Sequence, residues 1–158
     1  MNMKICVFSD SHGSAVPMIS AIEREKPELC FFLGDGSRDL ETAQARFPEL
    51  PFYAVRGNCD WRSPLSGSLV CTVSGVRIYA VHGHLHDVKY EPGLESFAAA
   101  AREAGASLAL FGHTHHACLE SHEGITFLNP GTIGRAAHPN YAVLYVEEGR
   151  YRAELKML

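Results

Sequence analysis

The sequence predicts an α/β fold in which two β-sheets pack as a sandwich flanked by helices. Two observations predict it. The first 60 residues alternate short apolar strands with amphipathic helical stretches, the pattern of parallel strands layered with helices. Most of the remainder reads as strands paired through tight turns, with one clear helix among them.

Taken in order, "KICVF" (Lys4 to Phe8) is an apolar run rich in strand formers that stops at Ser9-Asp10. A helix follows, with Ser14 as its expected cap, Met18, Ile19 and Ile22 on one face, and Pro27 closing it. "LCFFLGD" is continuously apolar, as a strand covered on both faces must be, and ends in Gly34-Asp35. Leu40, Ala43 and Phe47 form a second helical stripe, and "FYAVRGNCD" a third strand ending in polar residues. "LVCTVSGVRIYAVHGH" reads as two strands joined at Ser74-Gly75. "LESFAAAAREAG" is a helix with Leu94, Phe97, Ala98 and Ala101 inward and Gly105 as its stop. "SLALFGHTH" is another buried strand. Two more hairpins turn near Glu123-Gly124 and Glu148-Gly149.

The 158 residues, 46% hydrophobic and 20% charged, suit one globular domain over positions 1–158. No apolar run approaches the ~20 residues that cross a bilayer. The opening "MNMKICVFSDSHG" lacks the apolar core and cleavage site of a signal peptide, so a cytoplasmic location is expected. Five scattered cysteines with no CxxC pair argue against a disulfide framework and suit a reducing compartment. Cys6, Cys30 and Cys118 read as small buried hydrophobes. A net charge of −4 without a basic stripe speaks against long nucleic acid, leaving a small anionic molecule as the expected partner.

Five strand-like segments stop at metal-capable side chains: "FSDSHG", "LGDG", "RGNCD", "VHGH" and "FGHTH". In layered α/β folds such ends open onto the crevice where ligands bind. Each piece alone has an ordinary explanation. Asp10 and His12 suit a turn, Asp35 a helix cap, Asn58 a local backbone bond, and His82 a satisfied core histidine. His113 and His115 alternate, so on a strand they share a face. Five such pieces in order are poorly explained as coincidence, and together they predict a shared metal-binding crevice.

These residues resemble the calcineurin-like metallophosphoesterases, whose pattern runs D-x-H, G-D, G-N-H-D/E, H, G-H-x-H. Here it appears as Asp10-Ser11-His12, Gly34-Asp35, Gly57-Asn58-Cys59-Asp60, His82 and Gly112-His113-Thr114-His115, with "NPGT" downstream. In carrying G-N-C-D the chain is most similar to the small YfcE-type phosphodiesterases. The resemblance implies a four-layer αββα fold and two metal ions, the first held by Asp10, His12 and His115, the second by Asn58, His82 and His113, with Asp35 bridging. A mixture of imidazole and carboxylate donors suits manganese, the first expectation, or Fe, Zn, Ni or Co, rather than magnesium or calcium. The implied reaction is hydrolysis of a small phosphodiester by in-line attack of a metal-held hydroxide, without a covalent enzyme intermediate.

Cys59 stands where larger relatives place a histidine thought to protonate the leaving group. A thiol is a less suitable acid, which favours diesters with good leaving groups; packing beside the site is the alternative. Asp60 is read as holding a neighbouring group or as a plain turn residue. His84 is read as touching the phosphate or as exposed. His86, His116, His122 and His138 are read as surface or loop histidines, and Arg135 as a surface arginine or an anion contact. Trp61 and Tyr90 suit stacking on a base, a homodimer contact or loop packing. Competing functions are a phosphomonoesterase or nucleotidase, and a scaffold that kept the fold without the chemistry, as the retromer subunit of this fold did.

Overall fold

The computed structural model describes residues 2–134 and 136–158. Arg135, raised above as an anion contact, lies outside them. Two five-stranded mixed sheets face each other. The first contains β1 (Met3–Phe8), β2 (Leu29–Phe32), β3 (Phe52–Ala54), β9 (Asn140–Glu147) and β10 (Arg150–Met157), in the order β10-β9-β1-β2-β3. The second contains β4 (Ser68–Val73), β5 (Val76–Val81), β6 (Leu108–Leu110), β7 (Cys118–His122) and β8 (Ile125–Asn129), in the order β4-β5-β6-β8-β7. Helices α1 (Val16–Glu25) and α2 (Ser37–Arg46) belong to the first half of the chain, α3 (Glu95–Glu103) to the second.

Strand periodicity explains the layers. In β1, Ile5 and Val7 enter the core between the sheets, while Cys6 and Phe8 enter the core shared with Met18 and Ile22 of α1 and Leu40 of α2. β2 repeats this with Leu29 and Phe31 on one side and Cys30 and Phe32 on the other. In the second sheet Ile78, Ala80, Leu108 and Leu110 face the sandwich, whereas Tyr79, Val81 and Ala109 pack with Phe97 and Ala101 of α3. Helix, sheet, sheet and helix thus form four layers, so the central strands have no polar face to alternate.

The expected hairpins form, with Ser74, Glu123 and Glu148 in left-handed conformations before their glycines. The helix starts differ from the sequence reading. Ala15, not Ser14, stands at the α1 N-cap without a side-chain bond, and Pro17 occupies the first turn; Lys26, left-handed, ends the helix ahead of Pro27. His86 lies in the connection after β5, as a loop histidine, and is half-buried there: its Nε2 lies 3.0 Å from the Tyr79 hydroxyl, and its ring packs on Phe97. Among the described residues no helix is long and apolar enough to cross a membrane.

β1, β2 and β3 run parallel, as do β5, β6 and β8, so their carboxyl ends gather at one edge of the sandwich. The five polar pieces follow five of those ends.

Candidate metal centre

The chain reverses sharply after these strands. Asp10, His12, Asp35, His113 and His115 all have left-handed backbones, with φ between 44° and 69°. Such conformations are unfavourable by roughly 1 kcal/mol each and collect where function over-determines the backbone. The loops also touch closely. A Cβ on Gly34, itself at φ +101°, would lie 2.5 Å from the Gly57 nitrogen, and one on Gly57 would lie 2.1 Å from Asp35 Oδ1. Only glycine lets the second and third loops meet.

Six of the seven expected ligands converge. Single donor atoms of Asp10, His12 and His115 lie within 4.8 Å of one another, as do those of Asp35, His82 and His113, and those of His12, Asp35 and Cys59. His12 Nε2 stands 3.4 Å from Asp10 Oδ1 and 3.7 Å from Asp35 Oδ2, so Asp35 reaches toward both halves of the cluster. Asn58 occupies the same loop but is exposed, its amide donating to Cys59 Sγ at 3.5 Å.

Whether this donor set suits cations is decided by Asp10. Its side chain is fully buried; Oδ2 accepts from the Ser9 hydroxyl at 2.6 Å and the His113 N–H at 3.0 Å, but Oδ1 accepts no hydrogen bond. Nε2 of His115, His12 and His82 surround that oxygen at 3.2, 3.4 and 3.9 Å. An unpaired buried carboxylate oxygen is expensive unless positive charge meets it. His82 supplies a second sign. Its Nδ1 donates to the Leu33 carbonyl at 2.7 Å, which turns the Nε2 lone pair toward Asp35 Oδ2 (3.2 Å) and His113 Nδ1 (3.1 Å). Lone pairs aimed at one another from buried nitrogen and oxygen atoms fit divalent cations of the borderline type.

The electrostatics follow from these contacts. Burial alone would raise the Asp35 carboxyl, but bonding to His82 and the Cys59 N–H (2.8 Å) hold it down to about 2. His82 is pushed up despite its burial, because Asp35 and Asp10 face it. Burial and the neighbouring His82 bring His113 down to about 4. Burial, followed by the charge of Asp35, raises the Cys59 thiol.

Asp60 does not enter the cluster. Its buried carboxylate accepts four backbone N–H groups: Asp35 and Gly57 on Oδ2, both at 2.8 Å, and Gly36 and Ser37 on Oδ1, at 2.9 and 3.1 Å. It therefore fixes the loops that carry Asp35 and Asn58 and caps α2 from a distance; it is a positioning residue. His84 lies in the 3₁₀ turn His84–His86, its ring 5.5 Å from that of His82 and its buried Nδ1 without a hydrogen-bond partner. Cys59 is exposed and lines a cleft of about 260 Å³ together with His12, Asp35 and Arg38.

Sequence reasoning missed several supporting groups. Asp39 accepts from the Ser11 hydroxyl at 2.5 Å and the Gly13 N–H at 2.9 Å; Thr132 donates to the Asp10 carbonyl at 2.7 Å. Asn129 accepts the Gly131 N–H at 2.9 Å and donates to the Gly112 carbonyl and the Thr114 hydroxyl at 3.1 and 3.0 Å. The "NPGT" segment thus supports the His113–His115 loop.

The family model of the calcineurin-like phosphoesterase superfamily domain matches residues 3–149. The chain is 35% identical over 132 residues to a probable metallophosphoesterase, YsnB, of Bacillus subtilis, covering 83% of this chain and 75% of that one. A probable metallophosphoesterase of Methanothermobacter thermautotrophicus is 26% identical, over 97% of this chain and 91% of the relative. Among solved structures, a conserved Streptococcus pneumoniae protein described as a predicted phosphoesterase superposes with a TM-score of 0.83 at 25% identity, covering 99% of this chain and 90% of that one. Vps29 from Entamoeba histolytica in complex with zinc shares the fold, with a TM-score of 0.72 at 19% identity, over 98% and 99% of the two chains. By the extent of the family match and the identity to its bacterial relative, the chain belongs to the calcineurin-like phosphoesterase superfamily.

Proposed function

We infer that this protein is a metal-dependent phosphodiesterase that hydrolyses a small phosphodiester at a dinuclear centre. The observation that carries the reading is Asp10 Oδ1, buried, without a hydrogen bond, and ringed by three imidazole nitrogens. Asp10, His12 and His115 would hold one ion; His82, His113 and Asn58 the other; Asp35 both. Divalent ions held there would supply Lewis acidity toward the phosphoryl oxygens and toward the attacking water, with manganese the first expectation.

The chain's own groups do the rest. Asp60 and the Leu33 carbonyl fix the Asp35 loop and the His82 tautomer, so the donors are arranged before any ligand arrives. Arg38 and Cys59 line the cleft beside His12, where the Cys59 thiol would be the proton donor to a departing alkoxide or aryloxide. A thiol there suits leaving groups that need little help, which supports diesters over monoesters. A structure described as an archaeal phosphodiesterase shares the fold, with a TM-score of 0.73 at 20% identity.

The test combines elemental analysis with assays on phosphomonoesters, diesters and cyclic nucleotides. The reading expects about two metal ions per chain after manganese loading, diester turnover abolished by chelation, and recovery on adding manganese. Full activity after exhaustive chelation, or one ion per chain at full activity, would overturn it. Loss of the scaffold alternative follows from any metal-dependent turnover.

A further inference from the structure

A second cavity, separate from the cleft beside Cys59, is about four times its volume. It measures about 1050 Å³ and lies on the outer face of the second sheet, between β7 and the segment joining the His84–His86 turn to α3. Phe111, Phe127 and Val88, all nearly buried, line it, and Tyr90 stands at it with 82% of its surface exposed. Its wall includes the chain neighbours of a candidate ligand: Thr114 and His116 line the cavity, and His115 lies between them in sequence. Val88, another lining residue, packs against Gly83, where an added Cβ would meet Val88 Cγ2 at 2.6 Å and His113 Cβ at 3.5 Å.

The chemistry of the walls narrows what fits. Volumes of this order hold a whole organic ligand rather than a methyl ester. The cavity carries one lysine, Lys89, and one glutamate, Glu120, so it offers no net charge to a second phosphate. Aromatic and aliphatic walls, with the His116 and His122 rings as polar points, suit a flat ring bearing a few hydrogen-bonding groups. An aromatic left exposed at the mouth, as Tyr90 is, gains most by stacking on such a ring.

We propose that this cavity is the subsite for the retained ester group of the substrate, and that the group it takes is a planar aromatic one, either a nucleobase or an aryl ring. The assignment rests on the phosphodiesterase reading, because it places the phosphate on the neighbouring cluster. Tyr90, Phe111 and the His113–His116 segment then determine specificity. Thr114 and His116 sit on the boundary between phosphate and ring.

Three diesters with one leaving group, p-nitrophenolate, isolate the subsite: the methyl, phenyl and thymidine 5′ esters. With manganese-loaded protein the ring-bearing esters are expected to exceed the methyl ester about 10-fold in kcat/KM, mainly through KM. Preference for the phenyl or for the thymidine ester identifies the source of the ring, and either supports the subsite. Tyr90→Ala, which removes an exposed wall, and Cys118→Trp, which fills the cavity, are expected to bring the ratio near one. In saturation-transfer NMR the base protons of thymidine should receive magnetisation from the metal-free wild type and not from a folded Cys118→Trp. A wild-type ratio of one with measurable turnover, or a ratio that both substitutions leave intact, overturns the subsite alone. Absence of turnover on every ester overturns the phosphodiesterase reading and the subsite with it.

Discussion

Asp60 Oδ2 accepts the backbone N–H of Asp35 at 2.8 Å, joining the third strand's loop to the residue that would bridge two metals. The other three amides on the same carboxylate leave it no free role in the chemistry. Asp60→Asn keeps one acceptor oxygen and turns an NH₂ group toward N–H donors. The expected result is a loss of about 2–4 kcal/mol in urea unfolding and a 10–100-fold weaker manganese affinity by calorimetric titration. Reduced stability with unchanged metal affinity would mean that Asp60 acts only as a cap for α2.

Asp35→Asn tests the bridge directly. The amide is almost isosteric, so the bond from Asp35 Oδ1 to the Cys59 N–H is retained while the charge facing His82 and His12 is lost. Turnover should fall by more than about 100-fold, and the metal content of the loaded protein should drop. His115→Ala should lower the metal content by one ion and leave the circular dichroism spectrum unchanged, since His115 is exposed and outside every core cluster.

Much of this was legible in the sequence because strand ends carry both the periodicity and the chemistry. Ile5 to Phe8 and Leu29 to Phe32 are apolar throughout, which announces a sheet covered on both faces, and the polar residues that follow include the candidate ligands Asp10, His12 and Asp35. The turns at Ser74-Gly75 and Glu123-Gly124 were equally readable, since a left-handed residue before glycine is local chemistry. What escaped notice is non-local. Asp39 reads as an ordinary first-turn acid of α2, and nothing nearby in sequence shows that its partners are Ser11 and Gly13. Thr132 finds the Asp10 carbonyl across 122 positions. Ser14 misled because a good cap residue was present but unused, the helix start being set by Pro17.

Cys59→His should shift the dependence of rate on the leaving group. The thiol faces Asp35 and Asp60, and an imidazole in its place brings a stronger proton donor to the same cleft. Rates for esters of poor leaving groups should rise relative to p-nitrophenyl esters, with the metal content unchanged. Parallel plots of log kcat against leaving-group pKa for the two proteins would exclude an acid at this position.

Glu25, outside the candidate ligand groups, acts on stability alone. The residue is 5% exposed at the end of α1, and its carboxylate accepts the Tyr141 hydroxyl at 2.5 Å and the ammonium groups of Lys156 and Lys4, each at 2.9 Å. Burial would raise this carboxyl, but the three donors outweigh it and bring it from 4.5 to about 2. A carboxylate more acidic in the fold than in the open chain stabilises the fold above the higher value. That contribution fades as pH falls from 4.5 toward 2, because over this range the unfolded chain takes up a proton while the folded carboxylate stays charged. Glu25→Gln should therefore cost about 3 kcal/mol at pH 7, the scale of breaking a buried ion pair from one side. The gap to wild type should narrow steadily in urea titrations between pH 5 and pH 2.5. A gap that stays constant over that range would show that Glu25 contributes through packing and not through its charge.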